Sequence, residues 1–153
     1  MIVNISDQQT ALKISADQVR RLVQHVIQAE GQTCDEVNVY FVDTPTICQL
    51  HEQFFQDPSP TDCISFPIDE EQGKEGEFRL LGEIFVCPAA AIDYAARHEG
   101  NAYEETTLYI IHSLLHLMGY DDIDEKETSR MRQAEERHMH QLYSLGLQLQ
   151  LSY

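Results

Sequence analysis

Apolar and polar positions alternate from Ile2 to Ser6, which predicts a short first strand, and the period then changes. Val19, Leu22, Val23, Val26 and Ile27 recur at helical spacing behind Ser15, an N-cap with Gln18 three positions on. That helix should stop before Gly31. Val37 to Val42 has strand character, and Thr44-Pro45 then opens a helix to about Phe55, where Asp57-Pro58-Ser59-Pro60 makes a rigid turn. Strands are expected over Cys63 to Ile68 and Phe78 to Val86, with the acidic, glycine-bearing Asp69 to Glu77 between them as a solvated hairpin loop. Pro88 begins a helix to His98 that Gly100 closes, and Glu104 to Met118 forms the next. Asp124 caps a last helix with Met131, Ala134, His138 and Leu142 on one face.

Strand, helix, strand, helix, strand, strand, helix, helix, helix is the signature of an α/β or α+β fold. One small mixed sheet covered by helices is the expectation. A chain of 153 residues fits one domain, spanning residues 1–153.

The chemistry concentrates in Ile110-Ile111-His112-Ser113-Leu114-Leu115-His116-Leu117-Met118-Gly119-Tyr120-Asp121-Asp122. Residues four apart on a helix differ by about 6 Å of rise and about 40° of rotation, so both imidazoles can converge on one cation. Gly119 should end the helix in a left-handed cap and swing Asp121 or Asp122 back towards the rings. The competing reading is a pair of core histidines hydrogen-bonded within the fold. The apolar flanks offer them no obvious local partner, and two buried imidazoles this close would oppose each other's protonation. Two histidines and a carboxylate suit zinc or another divalent transition ion and leave one coordination position open. Such an ion activates water and polarises a phosphoryl or carbonyl oxygen, so hydrolysis is the natural reaction class. Ser113 follows the first histidine where an H-E-x-x-H peptidase carries its general base, which argues against a peptidase. Asp62 or Glu83 is a candidate base for phosphodiester cleavage.

The stretch His112 to Asp122 resembles the H-G-x-L-H-L-x-G-Y-D-H motif of the YbeY family, bacterial zinc-dependent endoribonucleases associated with maturation of small-subunit ribosomal RNA. Thr61-Asp62-Cys63-Ile64-Ser65-Phe66-Pro67 is similar to that family's T-[ND]-V-L-S-F-P strand, and Leu81-Gly82-Glu83-Ile84 to its L-G-[DE]-I strand. The resemblance implies a central sheet with the metal-bearing helix behind it and a cleft between. It further implies a metal site of His112, His116 and Asp122, one Zn²⁺ per chain, with Asp122 standing where the family has a third histidine. It implies a hydrolase, a single-strand-specific endonuclease acting in 16S rRNA processing and ribosome quality control. Its partners would be ribosomal RNA and the small ribosomal subunit or a ribosomal protein, with no DNA. The chain departs from the pattern at Ser113, where the family has glycine, and in Phe54-Phe55-Gln56-Asp57-Pro58-Ser59-Pro60, where the family usually has an arginine.

Charge complicates that picture. Twenty-six acidic residues against 10 Lys and Arg give a formal charge of -16, a field that repels phosphate backbones. Lys126, Arg130, Arg132 and Arg137 are the best local strip for RNA, unless they pair with Glu127, Glu135 and Glu136 along the helix. The alternative function is therefore a ribosome-assembly or stress factor that keeps the metal fold and cleaves weakly or not at all. His25 and His51 read as surface or capping histidines. The four dispersed cysteines read as reduced core thiols, with a secondary ligand role conceivable for Cys63 and Cys87. A start without a basic, apolar leader and the shortness of every apolar run predict a cytoplasmic protein with no membrane partner.

Overall fold

The structure is a computed structural model that describes residues 1–68 and 78–151. β1 (Ile2–Asp7), β2 (Glu36–Phe41), β3 (Cys63–Pro67) and β4 (Leu80–Val86) form one mixed sheet in the order β1-β2-β4-β3. β2 runs parallel to both β1 and β4, whereas β3 lies antiparallel to β4 along the edge. The helices are α1 (Ala16–Ala29), α2 (Thr44–Phe55), α3 (Pro88–Arg97), α4 (Ala102–Leu117) and α5 (Glu125–Leu145). This is the α+β arrangement that the pattern predicted. The hairpin loop expected over 69–77 lies outside the described residues.

Local signals set most boundaries. Ser15 Oγ accepts the Gln18 amide at 3.3 Å and Asp124 Oδ1 the Glu127 amide at 2.7 Å, so both expected N-caps form. α4 begins at Ala102, ahead of the expected Glu104, because Asn101 Oδ1 accepts the amides of Tyr103 and Glu104. β4 begins at Leu80 and not at Phe78.

One face of the sheet, through Val3, Val37, Val39, Leu81, Ile84 and Val86, packs on the apolar stripe of α1 and on Ile110, Ile111, Leu114 and Leu115 of α4. α5 adds Met131, Ala134 and Leu142 to the same core, so α4 is enclosed almost all round, as its apolar composition requires. A second cluster joins Ile47 of α2 to Val42, Ile64 and Cys87, with Tyr40, Phe66 and Phe85 packed against it. There Tyr40 stacks on Phe85 with centroids 4.6 Å apart.

The end of α4 comes very close to the sheet at Gly82. A Cβ added there would lie 2.6 Å from Phe66 O and 2.7 Å from Leu117 Cδ2, and the residue's φ of +153° disfavours any side chain. A bare backbone at Gly82 lets the last turn of α4 sit against β3 and β4. Gly82→Ala should therefore lower unfolding stability by about 1–3 kcal/mol in urea titration, through overpacking at this contact. Gly100→Ala, whose nearest neighbour would be 3.8 Å away, should move the midpoint much less.

Candidate metal centre

His112 and His116 lie one turn apart on α4, facing the edge strand β3. Between them Ser113 is fully buried, and its carbonyl accepts a 3.0 Å hydrogen bond from Ser65 Oγ, which ties α4 to β3. The helix ends as the sequence predicted. Gly119 has φ +98°, its amide reaches His116 O at 3.2 Å, and the Tyr120 amide reaches Leu115 O at 2.9 Å, the paired bonds of a Schellman cap. That turn brings Asp122 back over the two rings.

The hydrogen bonds of the rings fix their tautomers. His116 Nδ1 lies 3.0 Å from Tyr120 O; a carbonyl only accepts, so Nδ1 carries the proton. His112 Nδ1 lies 3.3 Å from Oε1 of Glu135, an acceptor that assigns its proton in the same way. Both Nε2 lone pairs are then left facing each other 3.1 Å apart, with Asp122 Oδ2 at 3.8 Å from His116 Nε2 and 4.0 Å from His112 Nε2. Lone pairs at that separation repel unless a positive charge lies between them. Donors about 2.0–2.1 Å from a tetrahedral zinc stand roughly 3.3–3.5 Å apart, close to these separations. Among the described residues, His112, His116 and Asp122 form the group with suitable donor atoms within 4.8 Å of one another. The residues present thus fit a small divalent cation.

Two carboxylates that support this group were not recognised in the sequence. Glu135, expected to pair along the surface of α5, is buried and turned towards His112, with its side chain only 5% exposed. Glu30, just past α1, accepts from Tyr120 OH at 3.1 Å, from His138 Nε2 at 2.8 Å and from Arg137 Nη2 at 3.1 Å. Tyr120 is the residue whose carbonyl holds His116, so Glu30 clamps α1, α5 and the metal-side turn together. Nothing in local spacing marks either residue; each meets its partner across a long loop of sequence.

The group opens into a cleft of about 670 Å³ between the end of α4, β3 and the end of α2. Asp62 lines it, as do Cys63, Ser65 and Asp121. Glu83 is not among the lining residues; its carboxylate accepts Tyr40 OH at 2.8 Å, so only Asp62 of the two candidate bases is placed to act. Burial first, and then the negative charge of Asp62, pushes the Cys63 thiol well up, which keeps it a neutral thiol. His51, read as a surface or capping histidine, lines the cleft, and His25 is half-buried with its Nε2 shut off from solvent. The expected basic strip is divided. Arg130 lies over the Tyr120 ring at 5.2 Å, Arg132 approaches Glu135 at 3.8 Å, and Arg137 pairs with Glu30.

The Glu30 clamp generates an acid-sensitivity prediction. Burial raises its carboxyl pKa, but hydrogen bonds from His138 and Tyr120 and the charges of His138 and Arg137 outweigh that and hold it below the ordinary glutamate range. A carboxyl with a lowered native pKa stabilises above its unfolded pKa, about 4.3, and loses that contribution as pH falls through the native value. Glu30→Gln should therefore cost about 1.5–3 kcal/mol at pH 7, the range for hydrogen bonds to a charged group. In urea titrations the gap from wild type should narrow steadily below about pH 4.3. A gap of constant size down to strong acid would contradict the clamp.

Comparison with known proteins agrees with this geometry. Residues 4–143 match the family model described as endoribonuclease YbeY. An endoribonuclease YbeY of Protochlamydia amoebophila is 55% identical over 147 residues, covering 96% of this chain and 97% of that protein. The endoribonuclease YbeY of Chlamydia caviae is 40% identical over 133 residues, covering 85% and 84%. A solution structure of a Thermotoga maritima protein shares the fold with a TM-score of 0.65 at 24% identity, covering 94% of this chain and 90% of its own. The match to that family model over residues 4–143 and these relatives place the chain in the endoribonuclease YbeY family.

Proposed function

We propose that this protein is a metal-dependent endoribonuclease that cuts single-stranded RNA, with His112, His116 and Asp122 holding one divalent ion, zinc in the first instance. The observation that carries the reading is the pair of Nε2 atoms held 3.1 Å apart, each ring's Nδ1 already engaged elsewhere. When bound, the ion would supply Lewis-acid polarisation of a phosphoryl oxygen and an activated water. The chain's own contribution is placement. Glu135 and the Tyr120 carbonyl orient the imidazoles, and Asp62 presents a carboxylate in the cleft as a proton acceptor for the attacking group. A carboxylate in place of a third imidazole hardens the donor set, which makes manganese or nickel stronger competitors than at an all-histidine site.

The cytoplasmic substrate we assign is ribosomal RNA, in 16S maturation and ribosome quality control, with the small subunit or a ribosomal protein as partner. The charge of the chain supports a partnered reaction. Among the described residues no lysine or arginine lines the cleft, and the formal charge is -16, so free RNA should be a poor substrate and a ribosomal surface would have to bring the cations. The same observation favours a second reading, an assembly factor that keeps the metal fold and cuts weakly.

Elemental analysis should find about one transition metal per wild-type chain. His112→Ala and His116→Ala should lose it, Asp122→Ala should weaken binding by more than tenfold, and Asp122→His and Asp121→Ala should keep it. Glu135→Ala should reduce affinity by about 10–100-fold, since it removes the partner of His112 Nδ1. Metal retained in full by both histidine variants would defeat the assignment. Cleavage should require the metal, vanish in His112→Ala and be stronger on small-subunit substrate than on free RNA. Its absence on that substrate with the metal in place would select the assembly-factor reading.

A further inference from the structure

Besides the metal group, the cleft is lined by two rings from the end of α2, His51 and Phe55. Phe55 is the last residue of α2, because Gln56 takes a left-handed φ of +57° and ends the helix there. Its ring lines the cleft and stays 54% exposed, so an open face of it is available there. Two rings prop it from the side: His51 at 5.6 Å between centroids, tilted 52°, and Phe66 at 6.4 Å, inclined 28°. His51 is itself fixed, its Nδ1 lying 2.9 Å from Ser59 O in the rigid turn after α2. A supported aromatic ring with open area in a cleft is a surface built to receive another flat group.

The charge of the cleft says which flat group. Among the described residues its lining holds Asp62, Asp121 and Asp122 and neither lysine nor arginine, so apart from a metal ion no lysine or arginine charge there draws phosphates in. A strand entering this cleft must be gripped by its bases, whose π faces are neutral. We infer that Phe55, supported by His51, is a nucleobase-stacking subsite that holds an unpaired base of the RNA strand beside the bond to be cut. This rests on the endoribonuclease reading and extends it by naming how the site chooses its substrate. A base inside a duplex is already stacked and cannot reach Phe55, so preference for single strands follows from the wall without any sequence-reading contact. Because stacking releases few counterions, binding should depend only weakly on salt, unlike recognition by a basic groove.

The sequence contains no tryptophan, which provides a direct probe. In zinc-loaded Phe55→Trp the new indole would be the sole tryptophan fluorophore. Titration with a short single-stranded 2′-O-methyl oligonucleotide, which resists cleavage, should quench its emission in a saturable way. An abasic oligonucleotide of the same length and charge should not. Phe54→Trp is the control: Phe54 is equally exposed at 55% but packs edge-on against Phe66 at 4.8 Å and does not line the cleft, so its quenching should be slight. In cleavage assays Phe55→Ala should raise KM about tenfold or more, the range for loss of one stacked base, with a smaller change in kcat, and Phe55→Tyr should restore KM. Equal quenching by the abasic strand, equal quenching at residue 54, or no binding at all would overturn the subsite. Active wild type whose KM is untouched in Phe55→Ala would overturn it too and leave the nuclease reading standing. Base-dependent quenching in a protein that never cuts RNA would uphold the stacking wall and remove the nuclease reading.

Discussion

Two imidazole lone pairs facing each other at 3.1 Å are the interaction on which the rest of this structure depends. The arrangement is unfavourable by itself, and three separate parts of the chain are needed to impose it. α4 supplies the one-turn spacing, the Gly119 cap returns the Tyr120 carbonyl to His116, and α5 brings Glu135 to His112. Rings free to rotate would turn their lone pairs apart. A buried carboxylate and a helix cap that together prevent this give the two rings the arrangement a cation site requires.

The sheet explains where that cation would meet substrate. With the order β1-β2-β4-β3, the antiparallel strand β3 stands at the edge, and α4 crosses close to it only because Gly82 carries no side chain and Ser65 bonds to the Ser113 carbonyl. An edge strand leaves one side unpaired, so the cleft opens between β3, the end of α4 and the end of α2 without disturbing the core. Structural rigidity and access are thereby separated: the packed face of the sheet fixes the histidines, and the free edge admits the ligand.

What could be read from the sequence was what depends on short-range spacing. His112 and His116 are one turn apart, Gly119 ends the helix, and Ser15 and Asp124 cap theirs, each an interaction decided within a few residues. Glu135 and Glu30 escaped because their partners are 23 and 90 or more residues away, and a glutamate on a charged helix looks the same whether it faces solvent or a histidine. The place of His51 in the cleft was not legible for a related reason. Its role depends on α2 ending beside β3, which no periodicity within α2 reveals. Asp62 and Glu83 were indistinguishable as candidate bases until the sheet set Glu83 opposite Asn38, within diagonal reach of the Tyr40 hydroxyl that its carboxylate accepts.

Net charge and site chemistry look contradictory only if a nuclease must hold its substrate through phosphates. A chain of -16 whose described cleft residues include no lysine or arginine attracts a polyanion poorly from a distance, yet once a strand is delivered the proposed local forces are of another kind: metal coordination and aromatic contact. Both act over a few ångströms and neither is strengthened by lowering the salt. Long-range repulsion then works as a filter, since RNA that merely diffuses past is turned away, whereas RNA held close by a partner reaches a site whose short-range contacts the global field scarcely weakens. On this view the acidity and the missing arginine belong together, because a strong cation in the cleft would restore indiscriminate binding to any strand.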